Sequence, residues 1–175
     1  MVETILVTGA TGTVGSEVVK QLSQRKENIH MRAAIHTQNK ADTLKQIIDN
    51  NQRIELADFN YNEPTSVQKA INNVDKVFLA TIPSPNSSDI VSNFVKEAKR
   101  SGIKHIVKLS VMNADAQPRY AMGLLHRQEE KIIEESPITY YLFTPNFIYA
   151  EFYKLFWSHY KKSKCILLLW RRCTD

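Results

Sequence analysis

The most constraining stretch of the chain is Ile5-Leu6-Val7-Thr8-Gly9-Ala10-Thr11-Gly12-Thr13-Val14-Gly15-Ser16. A short apolar run rich in β-branched residues stops at three evenly spaced glycines. A helical pattern follows at once, with Val14, Val18 and Leu22 four apart and Val19 beside them. A strand, a glycine-rich turn and a helix in immediate succession form the context that lifts such a motif above coincidence. Glycine lacks a Cβ, so it permits the tight turn and lets the backbone approach a phosphate seated on the positive end of the helix. The spacing is Gly-x-x-Gly-x-x-Gly rather than the Gly-x-Gly-x-x-Gly dinucleotide fingerprint, but the physical requirement is the same. A phosphate-loop nucleoside triphosphatase fits poorly, because Gly15 is followed by Ser16-Glu17 and no Gly-Lys-Ser/Thr occurs. An ordinary tight turn is the plainer alternative. The even spacing, the intervening threonines and the strand-to-helix context favour a dinucleotide site built from Gly9, Ala10, Thr11, Gly12, Thr13, Val14 and Gly15.

Downstream, apolar runs alternate with helical patterns. Ile29, Met31, Ala33 and Ile35 fall on one face of a second strand, and a polar helix is expected over residues 40–50. Residues 53–57 read as a third strand, and Glu63-Pro64 opens a short helix with proline in its permitted first turn. A buried strand follows over residues 74–80. The next helix starts at Ser87 and carries Ile90, Val91, Phe94, Val95 and Ala98 on one face, with Gly102 as its stop. A fifth strand (103–110), a helix (120–135) and a sixth strand (139–143) complete the series. This alternation predicts an α/β fold, a doubly wound parallel sheet of the Rossmann type. Right-handed crossovers would gather the carboxyl ends of the strands along one edge. The site candidates there are the glycine loop, His36, Asp58, Phe59, Thr81, Ile82, Pro83 and Ser110.

Composition excludes several classes. The 175 residues suit one domain, and the hydrophobic and charged shares of 43% and 23% are ordinary for a soluble protein. The net charge of +5 comes entirely from residues 152–175, where Lys154, Lys161, Lys162, Lys164, Arg171 and Arg172 face only Asp175. Residues 1–151 balance to zero, so no basic face for nucleic acid is expected. Cys165 and Cys173 lie in the same tail, and neither a disulfide framework nor a metal site follows. The start of the chain shows no basic leader, and no apolar run approaches the roughly 20 residues of a membrane span. A cytoplasmic protein without a membrane partner is expected.

The choice of dinucleotide rests on the second strand. A site for NAD places a carboxylate there, about 20 residues past the glycines, for the ribose hydroxyls. Here the region is Arg32-Ala33-Ala34-Ile35-His36-Thr37-Gln38-Asn39-Lys40 and holds no acid. Arg32, His36 and Lys40 offer positive or protonatable groups for a 2′-phosphate, although Lys40 alone reads better as surface. NADP(H) is expected in preference to NAD(H).

With these blocks in place, the chain resembles the NmrA-like branch of the atypical short-chain dehydrogenase/reductase superfamily. The resemblance covers about residues 3–157. Its blocks are residues 7–15, Leu56-Ala57-Asp58-Phe59, residues 74–79, Gly102-Ile103-Lys104-His105-Ile106-Val107-Lys108-Leu109-Ser110, His126 to Glu130, and Thr144-Pro145-Asn146-Phe147. It implies NAD(P) binding, with hydride transfer to quinones or other small acceptors in some members and redox sensing toward a protein partner in others. It places Asp58-Phe59 near the adenine, Thr81 to Pro83 near the ribose and pyrophosphate, and Pro145, Asn146 and Phe147 near the nicotinamide.

Reductases of the wider superfamily carry Tyr and Lys four apart on the helix after strand five. The corresponding positions here are Met122 and His126, and Tyr120 is followed by Leu124 four residues on. The usual proton relay is therefore absent. His126 and Glu130, four apart on one helix face, are the candidate catalytic pair. The alternative is a solvated pair on a helix that also carries Arg127, Glu129 and Lys131.

Family members continue beyond the length of this chain, with a small carboxyl-terminal region that shapes the substrate pocket. Residues 1–157 are read as the dinucleotide-binding domain and 158–175 as a basic tail. The tail is either an out-of-frame end or a genuine short variant with a strand at residues 166–170. Three functions follow: an NAD(P)H-dependent reductase acting on a quinone-like small molecule, a non-catalytic NADP(H) sensor, or an inactive truncated remnant.

Overall fold

The computed structural model describes residues 2–25, 27–36, 44, 51–112, 114 and 121–144. Its strands are Glu3–Val7 (β1), Ile29–Ile35 (β2), Ile54–Asp58 (β3), Lys76–Leu79 (β4), His105–Leu109 (β5) and Thr139–Phe143 (β6). The helices among the described residues are Thr13–Ser23 (α1), Pro64–Ile71 (α2), Ser87–Arg100 (α3) and Ala121–Glu134 (α4). All strand pairs are parallel, in the order β3-β2-β1-β4-β5-β6. The expected doubly wound sheet is thus the observed one. Its winding reverses between β1 and β4, and the crevice at such a reversal, outside the carboxyl ends of the strands, is where ligands bind in these sheets.

The period-2 pattern sorts the core into two layers. Ile29, Met31, Ala33 and Ile35 of β2 join Ile5, Val7, Phe78 and Val107 beneath Val18, Val19 and Leu22 of α1. Leu44, the one described residue of the segment expected to be helical over 40–50, is buried in this layer. The other face carries Leu6, Ala34, Val77, Leu79 and Ile106, covered by Val67 and Ile71 of α2, Val91, Phe94 and Val95 of α3, and Ile133 of α4. β4 is buried along its whole length, as expected of a central parallel strand covered on both sides.

The connection from α3 into β5 shows how local chemistry sets the register. Gly102 takes φ +78° and ends the helix. Its N–H donates to Lys99 O at 3.2 Å, and that of Ile103 to Ala98 O at 3.0 Å. This is the Schellman arrangement, which a residue with a Cβ adopts only at a cost. The N-terminal edge of the sheet, away from the crevice, is pinned by ion pairs, Lys104 Nζ–Asp75 Oδ1 at 2.7 Å and Lys76 Nζ–Glu3 Oε1 at 2.8 Å.

Candidate functional site

The glycine loop sits at the reversal point, and each glycine has a separate reason to be there. Gly9 adopts φ +63°, and a Cβ on it would lie 3.1 Å from Ala80 Cβ at the end of β4. Gly12 sends its N–H to Gly9 O at 2.9 Å and is the N-cap of α1. Gly15 is buried under the loop: a Cβ there would fall 2.1 Å from Gly9 O and 2.7 Å from Gly9 C, both backbone atoms. The first turn of α1 therefore rests directly on the loop. No side chain caps that turn and no acid lies in it. Its free N–H groups and the helix dipole face outward at the loop, which suits an anionic diphosphate. Gly12 and Thr13 are exposed, so the cradle is open to a ligand.

Thr8 fixes the loop to the neighbouring strand. Its buried hydroxyl accepts from Ala80 N at 2.8 Å and lies 3.1 Å from Phe78 O and 3.2 Å from Ala80 O, one of which takes its proton. Tyr61, whose ring packs edge-on against Phe59 and Phe94, donates to the same Ala80 carbonyl at 2.9 Å. Burial pushes the Tyr61 phenol well above its ordinary pKa, so it stays a neutral donor.

The other residues expected at the site divide into two groups. His36 and Asp58 are exposed side by side at the ends of β2 and β3, with His36 Nδ1 3.3 Å from Phe59 O. Ile82 and Pro83 are exposed past β4, and Thr81 and Ser110 lie at the ends of β4 and β5. Two expectations need correction. Phe59 is 6% exposed with its ring in the core, so its side chain faces away from the crevice. Arg32 lies in mid-strand, and its guanidinium donates to Ala70 O (2.8 Å) and Asn72 O (2.9 Å) at the C-terminal end of α2 and pairs with Glu55 at 3.3 Å. The helix carbonyls it satisfies are on the opposite edge of the sheet, because α2 runs antiparallel to the strands. Lys40, Pro145, Asn146 and Phe147 lie outside the described residues.

His126 and Glu130 are buried, at 5% and 2% exposure, so they do not form a solvated surface pair. Nor do they pair with each other. Glu130 accepts a short hydrogen bond from Ser110 Oγ and an ion pair from Arg127 at 3.0 Å, and Arg127 also holds Glu134 at 2.7 Å. His126 Nδ1 faces Lys108 Nζ at 3.5 Å, with Glu129 Oε2 at 3.9 Å. Lys108 and Glu129 form an ion pair of 2.9 Å with exposures of 0% and 1%. Thr81 Oγ1 donates to Glu129 Oε2 at 2.7 Å and accepts from Lys108 Nζ at 3.2 Å, and Leu109 O also accepts from Nζ. Ser87 Oγ approaches this carboxylate without the geometry of a hydrogen bond.

The electrostatics follow from burial opposed by pairing. Burial pulls Lys108 below the ordinary ammonium range, and Glu129 works against it. Burial raises Glu129, but the Lys108 ammonium and the Thr81 hydroxyl act against it, and the carboxyl titrates below its usual value. For His126, burial and then the charge of Lys108 hold the imidazole below its ordinary pKa against the pull of Glu129 and Glu130. Both effects favour the neutral imidazole over the imidazolium.

Lys108, Glu129, Tyr61 and Thr8 were not singled out from the sequence. Lys108 did carry a signal, since it is a cation inside the apolar run Ile106-Val107-Lys108-Leu109. A charge on the inward face of a buried strand needs a partner.

Comparison with known proteins agrees with this geometry. Residues 9–151 match the family model described as NAD(P)H-binding. The prestalk A differentiation protein A of Dictyostelium discoideum is 31% identical over 156 residues, covering 89% of this chain and 48% of that protein. The NAD(P)H azoreductase of Xenophilus azovorans is 29% identical over 143 residues, covering 82% of this chain and 48% of that protein. The crystal structure of an Escherichia coli NADPH-dependent quinone oxidoreductase complexed with NADPH superposes with a TM-score of 0.72 at 26% identity, covering 86% of this chain and 51% of that one. The chain thus spans about half the length of the relatives it matches. No helix among the described residues is long and apolar enough to cross a membrane. With its glycine cradle at the sheet reversal and a family match over most of its length, the chain belongs to the NAD(P)H-binding family, in the NmrA-like group of atypical short-chain dehydrogenase/reductases.

Proposed function

We propose that this domain binds NADP(H) in preference to NAD(H) and serves the reduction of a quinone or a similar small acceptor. The observation that carries this reading is the uncapped N-terminus of α1 resting on Gly9, Gly12 and Gly15 at the β1–β4 reversal. The Gly12-Thr13 backbone would hold the diphosphate, and Thr8 and Tyr61 would keep that backbone in place through Ala80. His36, exposed at the end of a second strand without a carboxylate, would face the 2′-phosphate; Asp58 beside it would face the adenosine. Reduced cofactor supplies hydride when bound, so the protein's task is to orient an acceptor and exclude competing reactions. The azoreductase and quinone oxidoreductase names of its relatives support a small, two-electron acceptor.

A second reading, a dinucleotide sensor acting through a protein partner, is favoured by Met122 and His126 standing where the Tyr-x-x-x-Lys pair is expected. The Dictyostelium relative is also named for differentiation rather than for a reductase activity. Fluorescence titration of the full chain with NADPH and NADH tests the cofactor, with tighter binding of NADPH expected. Binding of neither overturns the proposal, and preference for NADH overturns the assignment at His36. NADPH oxidation in the presence of several quinones then separates the two readings, because NADPH that is bound but never consumed is the sensor's result.

A further inference from the structure

The buried cluster behind the crevice determines which nitrogen of His126 carries the proton. Lys108 Nζ has three oxygen acceptors: Glu129 Oε2 at 2.9 Å, Thr81 Oγ1 at 3.2 Å and the Leu109 carbonyl. The Thr81 hydrogen is already given to Glu129. All three oxygens therefore call for a donor at Nζ, which an ammonium supplies with its three hydrogens and a neutral amine does not, so Lys108 acts on His126 through its charge. His126 Nδ1 lies 3.5 Å from that ammonium. A proton on Nδ1 would point at a cation that has no lone pair to receive it. Its nearest carboxylate oxygen, Glu129 Oε2 at 3.9 Å, is beyond hydrogen-bond range. The charged groups that act on the imidazole are Lys108 from β5 and Glu129 and Glu130 from its own helix. Of these, only Lys108 comes within hydrogen-bond distance of Nδ1 among the described residues.

We propose that Lys108 is a positioning residue that holds His126 as its Nε2–H tautomer, so that the imidazole serves the acceptor as a neutral hydrogen-bond donor and not as a source of protons. The role assigned to the acceptor rests on the reductase reading above; the tautomer does not. In the reduction, the acceptor gains the hydride's hydrogen and electron pair, and negative charge develops on its oxygen or nitrogen. Nε2–H stabilises that charge by a hydrogen bond that keeps the proton on His126. Water supplies the proton that completes the reduced product, and His126 finishes the turnover as it began it. The acceptors this arrangement suits are those with a hydrogen-bond-accepting carbonyl or azo group that accumulates charge. A proton-donating imidazole, by contrast, would have to be charged beforehand, beside a buried ammonium.

The test is nitrogen NMR of the full chain labelled at its histidine rings, at neutral pH, with His126→Gln used to assign the signals. The expected result is an unprotonated Nδ1 and a protonated Nε2 on His126. A protonated Nδ1, an imidazolium or a tautomer mixture overturns the proposal. Replacing both charges together, in Lys108→Met/Glu129→Gln, avoids stranding one of them and is expected to release the tautomer into a mixture. An unchanged single tautomer in that variant removes Lys108 from the role. Turnover supplies the second readout. His126→Leu should lower kcat by about 10²–10³, the usual effect of losing one preorganised donor. His126→Gln keeps an amide N–H near Nε2 and should retain within about tenfold of the parent; equal loss in both variants marks His126 as a proton source. If no NADPH binds, the reductase reading fails while the NMR result still decides the tautomer.

Discussion

Substituting Gly15 by alanine tests the contact between helix and loop on which the dinucleotide cradle depends. The added Cβ would lie 2.1 Å from Gly9 O, 2.7 Å from Gly9 C and 3.0 Å from the Ala10 Cα. All three are backbone atoms, so no side-chain rotation relieves the overlap. An ordinary carbon–oxygen contact is more than 1 Å longer than the first of these, so α1 has to retreat by about that much. Overpacking of this kind costs about 1–3 kcal/mol, and a clash with backbone alone belongs at the upper end, about 3 kcal/mol. Alanine recovers about 1 kcal/mol through its better helix propensity. The net loss is about 2 kcal/mol, equivalent to a fall in Tm of roughly 4–8 °C for a domain of this size. Retreat of α1 also withdraws its N-terminal N–H groups from the loop, so NADPH affinity should fall by at least about tenfold, the equivalent of 1.4 kcal/mol. Urea unfolding and NADPH fluorescence titration measure the two effects separately. Gly12→Ala is the internal control, because its Cβ would stand 3.2 Å from Gly9 O and needs an adjustment of only a few tenths of an ångström. If Gly15→Ala unfolded and bound NADPH like the parent, the close seating of α1 on the loop would be refuted, and with it the physical basis of the site.

Further outcomes follow from the buried polar contacts. Thr8→Val removes the acceptor of the Ala80 N–H at near-constant volume, and an unsatisfied buried donor should cost about 1–3 kcal/mol in chemical unfolding. Lys108→Met strands the Glu129 carboxylate and should cost about 3–5 kcal/mol, most of it recovered in Lys108→Met/Glu129→Gln; a milder single variant would show that the pair is hydrated. Stability should also decline in acid in two steps. Burial and Lys108 hold His126 below its unfolded value, and the Lys104 ammonium and Thr4 N–H hold Asp75 below its own. In both cases the unfolded chain binds protons more readily, so the contribution is complete above the unfolded pKa and is lost as pH falls through the folded one. His126→Gln should shrink the step beginning near pH 6.5, which half-buried His105 shares, and Asp75→Asn the one beginning near pH 4, which Glu129 and Glu134 share, in unfolding free energy followed against pH.

The topology was legible because its signals are local. Alternation at Ile29, Met31, Ala33 and Ile35, proline at the first turn of α2 and glycine after α3 each act over a few residues, and each element stands where its pattern puts it. The chemistry around His126 was not legible, because it depends on which strand lies under which helix turn. Glu130, four residues from His126, is the partner helix geometry suggests. Yet Ser110 and Arg127 take Glu130, while Lys108, eighteen residues back on β5, faces the imidazole. Arg32 misled for the same reason. A cation on β2 suits a 2′-phosphate, but Arg32 stands in mid-strand and its guanidinium finishes on carbonyls at the C-terminal end of α2.

What the sequence by itself determined is therefore the dinucleotide half: a strand that ends in glycines and a helix that begins without a cap. Both properties belong to the backbone, and glycine states them directly. The tertiary structure alone decided that Lys108, Glu129, Thr81 and His126 form one buried cluster. Burial turns those four polar groups from independent solvated side chains into a set whose charges and protons have to be mutually satisfied.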